Sequence, residues 1–123
     1  MISVIVSREG NSIRALYVNG HAGFAESGKD IICSGVSTLL FTAANALEDI
    51  CGYDGESFFR IVNEGGADVN LRITVPDQGD DKTKDRAQVI MRACELGLIG
   101  IARDYNNGKK KYVEIINSRA PEV

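Results

Sequence analysis

Residues 57–75 read SFFRIVNEGGADVNLRITV, and this stretch decides the fold class. Its second half alternates apolar and polar residues from Val69 to Val75, the period-2 pattern of a strand with one buried face. The central Gly65-Gly66 pair is favoured in tight hairpin turns because glycine readily takes positive φ. The stretch therefore predicts a β-hairpin with arms at 57–64 and 67–75.

A second hairpin is predicted at the amino terminus. The runs ISVIVS (2–7) and SIRALYVN (12–19) are rich in β-branched residues and are separated by REGN. Gly10 and Asn11 supply residues that turns prefer. The chain therefore begins with two antiparallel strands.

Two long helices are predicted, each following one of the hairpins. One spans about residues 31–51, with Gly52 as its carboxyl-terminal stop, and the other about 81–105, capped by Asp80 or Asp81. Each has one apolar stripe at helical spacing, made of Val36, Leu39, Leu40, Ala43 and Leu47 in the first and of Ala87, Ile90, Met91, Cys94, Leu98 and Ile101 in the second.

A final strand is expected at 109–117 (KKKYVEIIN), after the turn residues 106–108. The order is then ββαββαβ, an α+β fold in which a mostly antiparallel sheet is packed with two long helices. Nothing in the composition indicates an internal boundary, so residues 1–123 form one domain.

The composition of the chain argues against several classes of protein. The chain has 123 residues, 44% apolar and 25% charged, with a net charge of −3. This balance argues against a dedicated nucleic-acid binder, and Lys109–Lys111 is expected to keep the start of an edge strand unpaired. We expect no transmembrane segment and no signal peptide. Three cysteines without a CxxC motif favour reduced thiols, hence a cytoplasmic protein.

Residues 20–33, GHAGFAESGKDIIC, carry the chemistry and admit two interpretations. From Gly23 the sequence matches the phosphate-loop pattern G-x-x-x-x-G-K-[ST] except at its last position. That position is Asp30, whose carboxylate would face the phosphates where a hydroxyl should bind magnesium, and the like charges repel. Nucleotide binding is therefore disfavoured, and no cofactor is expected.

The other interpretation is a thiol enzyme. His21 is the only histidine and follows a strand, and Cys33 lies in the first turn of a helix. Free amides and the helix dipole at that end stabilise a thiolate, so the pKa of Cys33 is expected to be lowered. Cys94 lies on an apolar stripe, and Cys51 lies at the end of its helix where the dipole disfavours a thiolate. A Cys–His dyad can be built only from Cys33 and His21.

Two neighbours of this dyad have candidate roles. Asp30 precedes Cys33 by three residues, the spacing of a helix cap, and its carboxylate could also orient His21. The backbone N–H of Cys33 or Ser34 could stabilise an oxyanion. A zinc site would need at least three ligands, and one histidine with one suitable cysteine falls short unless Asp30 or a second subunit contributes, so no metal is expected.

These residues resemble a known family, the ribosomal-processing cysteine proteases called Prp. The resemblance covers essentially the whole chain and is carried by two motifs: Gly20-His21-Ala22 and the run Gly28-x-Asp30-Ile31-x-Cys33-x-x-Val36-Ser37. It implies a cytosolic cysteine endopeptidase, usually a homodimer, that removes the N-terminal extension of a large-subunit ribosomal protein.

By the same resemblance, Cys33 is the nucleophile, His21 the base and Asp30 a weaker third member. Residues 20–29 would form a mobile flap, with Gly20, Gly23 and Gly28 as hinges and Phe24 covering the thiol. The rival hypothesis is a non-catalytic, ribosome-associated dimeric binding module in which Cys33 is merely buried.

Overall fold

The computed structural model describes residues 1–25, 30–61 and 69–119. Its strands are β1 (Ile2–Glu9), β2 (Ser12–Gly20), β3 (Phe59–Ile61), β4 (Val69–Thr74) and β5 (Val113–Arg119), and its helices are α1 (Ile31–Cys51), α2 (Gly55–Phe58) and α3 (Asp81–Tyr105). A five-stranded sheet packs with two long helices, so the predicted α+β class is confirmed.

The strands lie in the order β3-β4-β2-β1-β5. The pairs β3–β4, β4–β2 and β2–β1 are antiparallel, with Ile2 opposite Gly20 and Gly20 opposite Val69. The last strand, β5, instead lies parallel to β1 at the edge of the sheet, where Ile2 pairs with Val113. The carboxyl end of β2 therefore lies between the start of β1 and the start of β4.

The core lies between one face of this sheet and the helices. Alternate strand residues are buried there, including Ile2, Val4, Val6, Leu16, Val18, Leu71 and Ile73. They meet the buried faces of both long helices, which contribute Val36, Leu40, Ala43, Leu47, Ala87, Met91, Cys94 and Leu98. The two helical stripes predicted from the sequence thus point into the core, with Leu39, Ile90 and Ile101 partly buried at its rim.

The helix boundaries agree with the sequence signals. Asp30 caps the start of α1, and Gly52 ends it with a φ of 73°, a conformation that favours glycine. Asp80 caps α3 by accepting a hydrogen bond from the Thr83 N–H. These caps are local interactions, which is why a short window of sequence predicts them.

Three predicted details differ from the structure. Ser57 and Phe58 belong to the short helix α2, because Asp54 caps a helical turn there through the Glu56 N–H, and Phe58 is buried. The last strand begins at Val113 and not at Lys109. The lysines at 109–111 therefore precede the strand and are not its first residues. The predicted Gly65-Gly66 turn lies outside the described residues.

Helix α1 is more apolar than a helix with a single buried stripe needs to be. By length and composition alone it is long enough to cross a membrane, with a mean hydropathy of 1.4 over 18 residues. One face of the helix, from Ile32 to Leu47, is buried in the core of the domain. This buried face accounts for part of the apolar character of α1, because a helix that packs against a sheet carries an apolar stripe.

One buried charge links α3 to the sheet. Glu95 is buried, and its carboxylate accepts hydrogen bonds from Arg8 on β1 and from Arg92 on α3, both at 2.5 Å. Burial alone raises the pKa of Glu95, but the two guanidinium groups lower it below its ordinary value. A glutamate in this position stays charged because it is paired.

Candidate active site

His21 and Cys33 come together at the end of β2. His21 is the first residue after that strand, and Cys33 lies in the first turn of α1. The Nδ1 atom of His21 is 4.0 Å from the Cys33 sulfur, and both side chains are partly exposed. Catalytic hydrogen bonds are often longer than usual before substrate binds, so this spacing suits a dyad that tightens on binding.

Gly20 sets the position of His21. Its φ is +116°, and a Cβ atom built on it would lie 2.3 Å from the Met1 carbonyl oxygen, a backbone atom. Only glycine fits this conformation and this close approach between the ends of β1 and β2. Gly20 is paired within the sheet and packs against the start of β1, while its predicted role as a hinge of the loop stays a prediction.

Asp30 ties the loop before α1 to the helix. One carboxylate oxygen accepts the N–H groups of Ile32 and Cys33 at 3.0 and 3.1 Å. The other accepts those of Phe24 and Ala25 at 3.0 and 3.4 Å. Burial raises the pKa of Asp30, but these four N–H bonds outweigh it and lower the pKa below the ordinary value of 3.8. The predicted cap is present, and no hydrogen bond joins Asp30 to His21 among the described residues.

Replacing Asp30 separates its two roles. The side chain introduced by Asp30→Asn keeps an oxygen for the helix N–H groups but turns an NH₂ group toward Phe24 and Ala25, so only the loop bonds are lost. Asp30→Ala loses both sets and should cost about 3 kcal/mol of unfolding free energy, with Asp30→Asn costing less. Urea denaturation at neutral pH measures the order, and equal costs would contradict the two-sided role.

The stabilisation of the fold by Asp30 should weaken in acid. The pKa of Asp30 is lower in the folded protein than its ordinary value of 3.8. The charged carboxylate therefore stabilises the fold at pH values above 3.8, and this stabilisation is lost as the pH falls below 3.8 and through the folded pKa. The difference in unfolding free energy between wild type and Asp30→Ala should therefore shrink on acidification below that value. A difference that is constant across this range would contradict the assignment.

The pKa of Cys33 is raised, whereas the sequence predicts that it is lowered. Burial raises it above the ordinary value of 9.0, and the Asp30 carboxylate raises it further, while the Ala22 N–H and the chain amino terminus lower it. The helix amides expected to stabilise a thiolate are instead bonded to Asp30. At neutral pH Cys33 is therefore a thiol, and a base must remove its proton during attack.

Alkylation by iodoacetamide tests this protonation state. Because the pKa is raised, the rate at Cys33 should increase with pH through and above 9.0, not level off below pH 8. Asp30→Asn removes the negative charge and should move the midpoint of this profile to lower pH. Cys94, whose burial raises its pKa to about 12, serves as the internal reference that stays unlabelled. A wild-type midpoint below 8 would contradict the account.

The predicted oxyanion donors are already bonded. The Ser34 N–H donates to the Asp30 carbonyl oxygen at 3.1 Å, the first hydrogen bond of α1, and the Cys33 N–H donates to the Asp30 carboxylate. Both amides are engaged within the helix start in this conformation, and the oxyanion role of Ser34 stays a prediction. The Ala22 backbone N–H, on the loop side of the site, lowers the pKa of the Cys33 thiol.

Phe24 lies on the rim of the site. Its ring makes edge contacts with Tyr105 and Tyr112, at centroid distances of 5.7 and 5.3 Å, and it is 41% exposed. Phe24 is thus held by these tyrosines, and its role as a cover over the thiol stays a prediction. Gly23 has a φ of +67°, consistent with a turn, and Gly28 lies outside the described residues.

His21, Asp30 and Cys33 also form a cluster of atoms that could ligate a metal. One donor atom from each lies within 4.8 Å of the others. Each carboxylate oxygen of Asp30 already accepts two N–H groups, which leaves His21 and Cys33 as the ligands not engaged in this way. A structural zinc site takes four ligands and a catalytic one three, so the cluster fits a dyad better than a metal.

The other two cysteines are placed as expected. Cys94 is buried in the core, and its thiol donates to the Leu39 carbonyl oxygen at 3.5 Å. Cys51 ends α1, and burial raises its pKa. All three cysteines are free thiols. Neither Cys51 nor Cys94 lies beside the histidine.

Known proteins are similar to this chain in sequence and in fold. Residues 1–110 match the family described as cysteine protease Prp. The chain is 30% identical over 117 residues to the ribosomal processing cysteine protease Prp of Bacillus subtilis, covering 94% of this chain and all of the relative. It is 30% identical over 105 residues to the Staphylococcus aureus protein of the same name, covering 85% of this chain and 90% of the relative.

Solved structures agree with the sequence comparisons. The S. aureus ribosomal processing protease Prp, crystallised with a covalently linked product peptide, is 25% identical and superimposes with a TM-score of 0.72 over 96% of this chain and 100% of the other. A Streptococcus mutans protein, 24% identical with a TM-score of 0.73 over 98% and 96% of the two chains, shares the fold. With the dyad geometry, these matches establish that the chain belongs to the Prp family and is a cysteine protease.

Proposed function

We propose that this cysteine protease is an endopeptidase that removes the N-terminal extension of a large-subunit ribosomal protein, with Cys33 as nucleophile and His21 as general base. The observation that carries the proposal is the 4.0 Å approach of His21 Nδ1 to the Cys33 sulfur. Support for the substrate comes from relatives named as ribosomal processing proteases.

The first half of the proposed reaction forms a thioester. His21 takes the proton of the Cys33 thiol as the sulfur attacks the carbonyl carbon of the scissile peptide bond. The C–N bond then breaks, and His21 gives its proton to the leaving amine, which departs as a new amino terminus. Since the pKa of Cys33 is raised, His21 is needed from the first step to remove the thiol proton.

The second half releases the enzyme. A water molecule gives a proton to His21 and attacks the thioester carbonyl. The C–S bond breaks to give the carboxylate of the removed extension, and the sulfur recovers a proton from His21. The covalently linked product peptide of the S. aureus relative supports a covalent route of this kind.

Direct cleavage tests the proposal. The purified protein is incubated with the ribosomal protein carrying its extension, and new amino termini are identified by mass spectrometry. We expect one internal cleavage that removes the extension, and no cleavage of a control protein that starts after it. An intact precursor would overturn the proposal, and binding without cleavage would favour the non-catalytic module instead.

We further propose that the protein acts in the cytoplasm as a homodimer. The family resemblance supports this, as does an uncharged exposed side of α1 that includes Ile31, Thr38 and Phe41. Light scattering during size-exclusion chromatography should give twice the mass of one chain. A monomer across the micromolar range would overturn the dimer, and membrane-bound protein on cell fractionation would overturn the location.

A further inference from the structure

One member of the lysine run at 109–111, Lys110, contacts the described part of the active-site loop. The Lys110 ammonium donates to the Gly23 carbonyl oxygen at 3.0 Å and lies 5.1 Å from the centroid of the Tyr112 ring. Lys109 and Lys111 are exposed, and among the described residues neither ammonium group donates a hydrogen bond to the loop. The sequence interpretation of these lysines as a solvated strand start does not account for this contact.

Lys110 stands on a turn that is held in place by hydrogen bonds. The Asn107 side-chain oxygen accepts the N–H groups of Lys109 and Lys110 at 2.9 and 3.0 Å. The Asn106 side-chain oxygen accepts those of Tyr112 and Val113 at 2.7 and 3.2 Å. A lysine anchored this way loses less conformational freedom when it bonds than one on a free chain, so its contact is preorganised.

The loop residues Gly23, Phe24 and Ala25 are thereby held from two sides. Lys110 binds the Gly23 carbonyl, and the Phe24 ring packs between Tyr105 and Tyr112. From the opposite side, the Asp30 carboxylate binds the Phe24 and Ala25 N–H groups. A cation on the carbonyl and an anion on the amides match the polarity of the loop backbone.

This loop carries groups that touch the nucleophile. His21 begins this segment with Nδ1 at 4.0 Å from the Cys33 sulfur, and the Ala22 backbone N–H lowers the pKa of the Cys33 thiol. A shift of Gly23 is passed to both through one or two residues of backbone. The α3–β5 connection therefore contacts the segment that begins with the base.

We propose that Lys110 is a positioning residue that, with Tyr105 and Tyr112, holds the Gly23–Ala25 loop where His21 faces Cys33. The inference rests on the protease function above and adds a residue to it. Lys110 touches neither reacting atom, so it acts through the loop and not in proton transfer.

The test uses Lys110→Ala with the neighbouring lysines as matched controls. Releasing the loop should raise the alkylation rate of Cys33 by iodoacetamide about fivefold, the effect of one net hydrogen bond. Misplacement of His21 should lower kcat for the extension peptide about tenfold with KM little changed. Lys110→Arg should restore both values, and Lys109→Ala and Lys111→Ala should behave as wild type.

The outcomes separate this inference from the protease assignment. Alkylation needs no substrate, so unchanged Cys33 labelling in Lys110→Ala overturns the positioning role even if the wild-type protein cleaves no peptide. A rise in KM with unchanged kcat would also overturn it, because it would place Lys110 in substrate binding. Equal effects in Lys109→Ala would show general charge loss and overturn it as well. Because Lys110 is exposed, its variants should stay folded, with a melting temperature within a few degrees of the wild-type value.

Discussion

Cys33→Ala and His21→Ala each lower kcat/KM for the extension peptide by roughly 10⁴-fold or more, the loss expected when one member of a catalytic unit is removed. Alanine at 33 leaves no nucleophile, and alanine at 21 leaves a thiol whose raised pKa keeps it protonated at neutral pH. Steady-state cleavage of a fluorogenic peptide measures both. The two losses should not add in the double variant, because the residues act in the same step.

Controls for this prediction come from the same chain. Cys51→Ala removes a thiol that also has a raised pKa but lies away from His21, and it should retain wild-type activity. Each variant is compared by circular dichroism, because a folded and inactive Cys33→Ala separates chemistry from structure. Substantial turnover by Cys33→Ala would show that the dyad assignment is wrong.

Gly20→Ala is expected to have the largest effect on stability. The new Cβ atom would lie 2.3 Å from the Met1 carbonyl oxygen and 3.2 Å from the Ile2 Cα, and the backbone would keep a φ of +116° that side chains rarely adopt. Separating the start of β1 from the end of β2 disrupts the sheet beside the active site. We expect a loss of about 3 kcal/mol or more in unfolding free energy.

Gly10→Ala is the matched control. Gly10 also has a positive φ, +60°, but nothing lies within 4 Å of the position that a Cβ atom would take, so only conformational strain is added. That substitution should cost about 1 kcal/mol. Urea denaturation curves give both values, and equal costs for the two variants would show that the close approach at Gly20 is not what requires glycine.

The parts of the fold set by local interactions were predictable. Helix α1 runs from Ile31 to Cys51 as expected, because Asp30 and Gly52 are cap residues whose effects extend over a few positions. The short helix α2 was missed, because Ser57 and Phe58 fit a strand pattern that the Asp54 cap overrides. The parallel pairing of β5 with β1 joins segments more than 100 residues apart, and no local pattern encodes it.

In the candidate site, too, the features set by local sequence were predicted and those that depend on distant contacts were not. A lone histidine after a strand and a cysteine at a helix start led to His21 and Cys33, which the structure brings together. The spacing of Asp30 predicted its cap, but its bonds to Phe24 and Ala25 depend on how the loop folds back. The Asp30 bonds to the helix amides explain the wrong pKa prediction for Cys33, because they place a carboxylate where free amides were expected.

Long-range partners account for what was missed entirely. Lys110 is 87 positions from Gly23, and Arg8 is 87 positions from Glu95. In sequence, Lys110 looks like any member of a charge run, and Glu95 like a solvated glutamate on a helix. Neither residue carries a distinguishing sequence signal, since both roles arise only when distant elements pack together.

Acid-quenched mass spectrometry during turnover tests the central claim that Cys33 is the nucleophile. The protein is mixed with excess extension peptide, stopped within the first turnover, and digested to locate any added mass. The account predicts an added mass equal to that of the amino-terminal product less one water, on the peptide containing Cys33 and absent from Cys33→Ala. Cleavage with the acyl group on another residue, or with no covalent species in any quench, would contradict it.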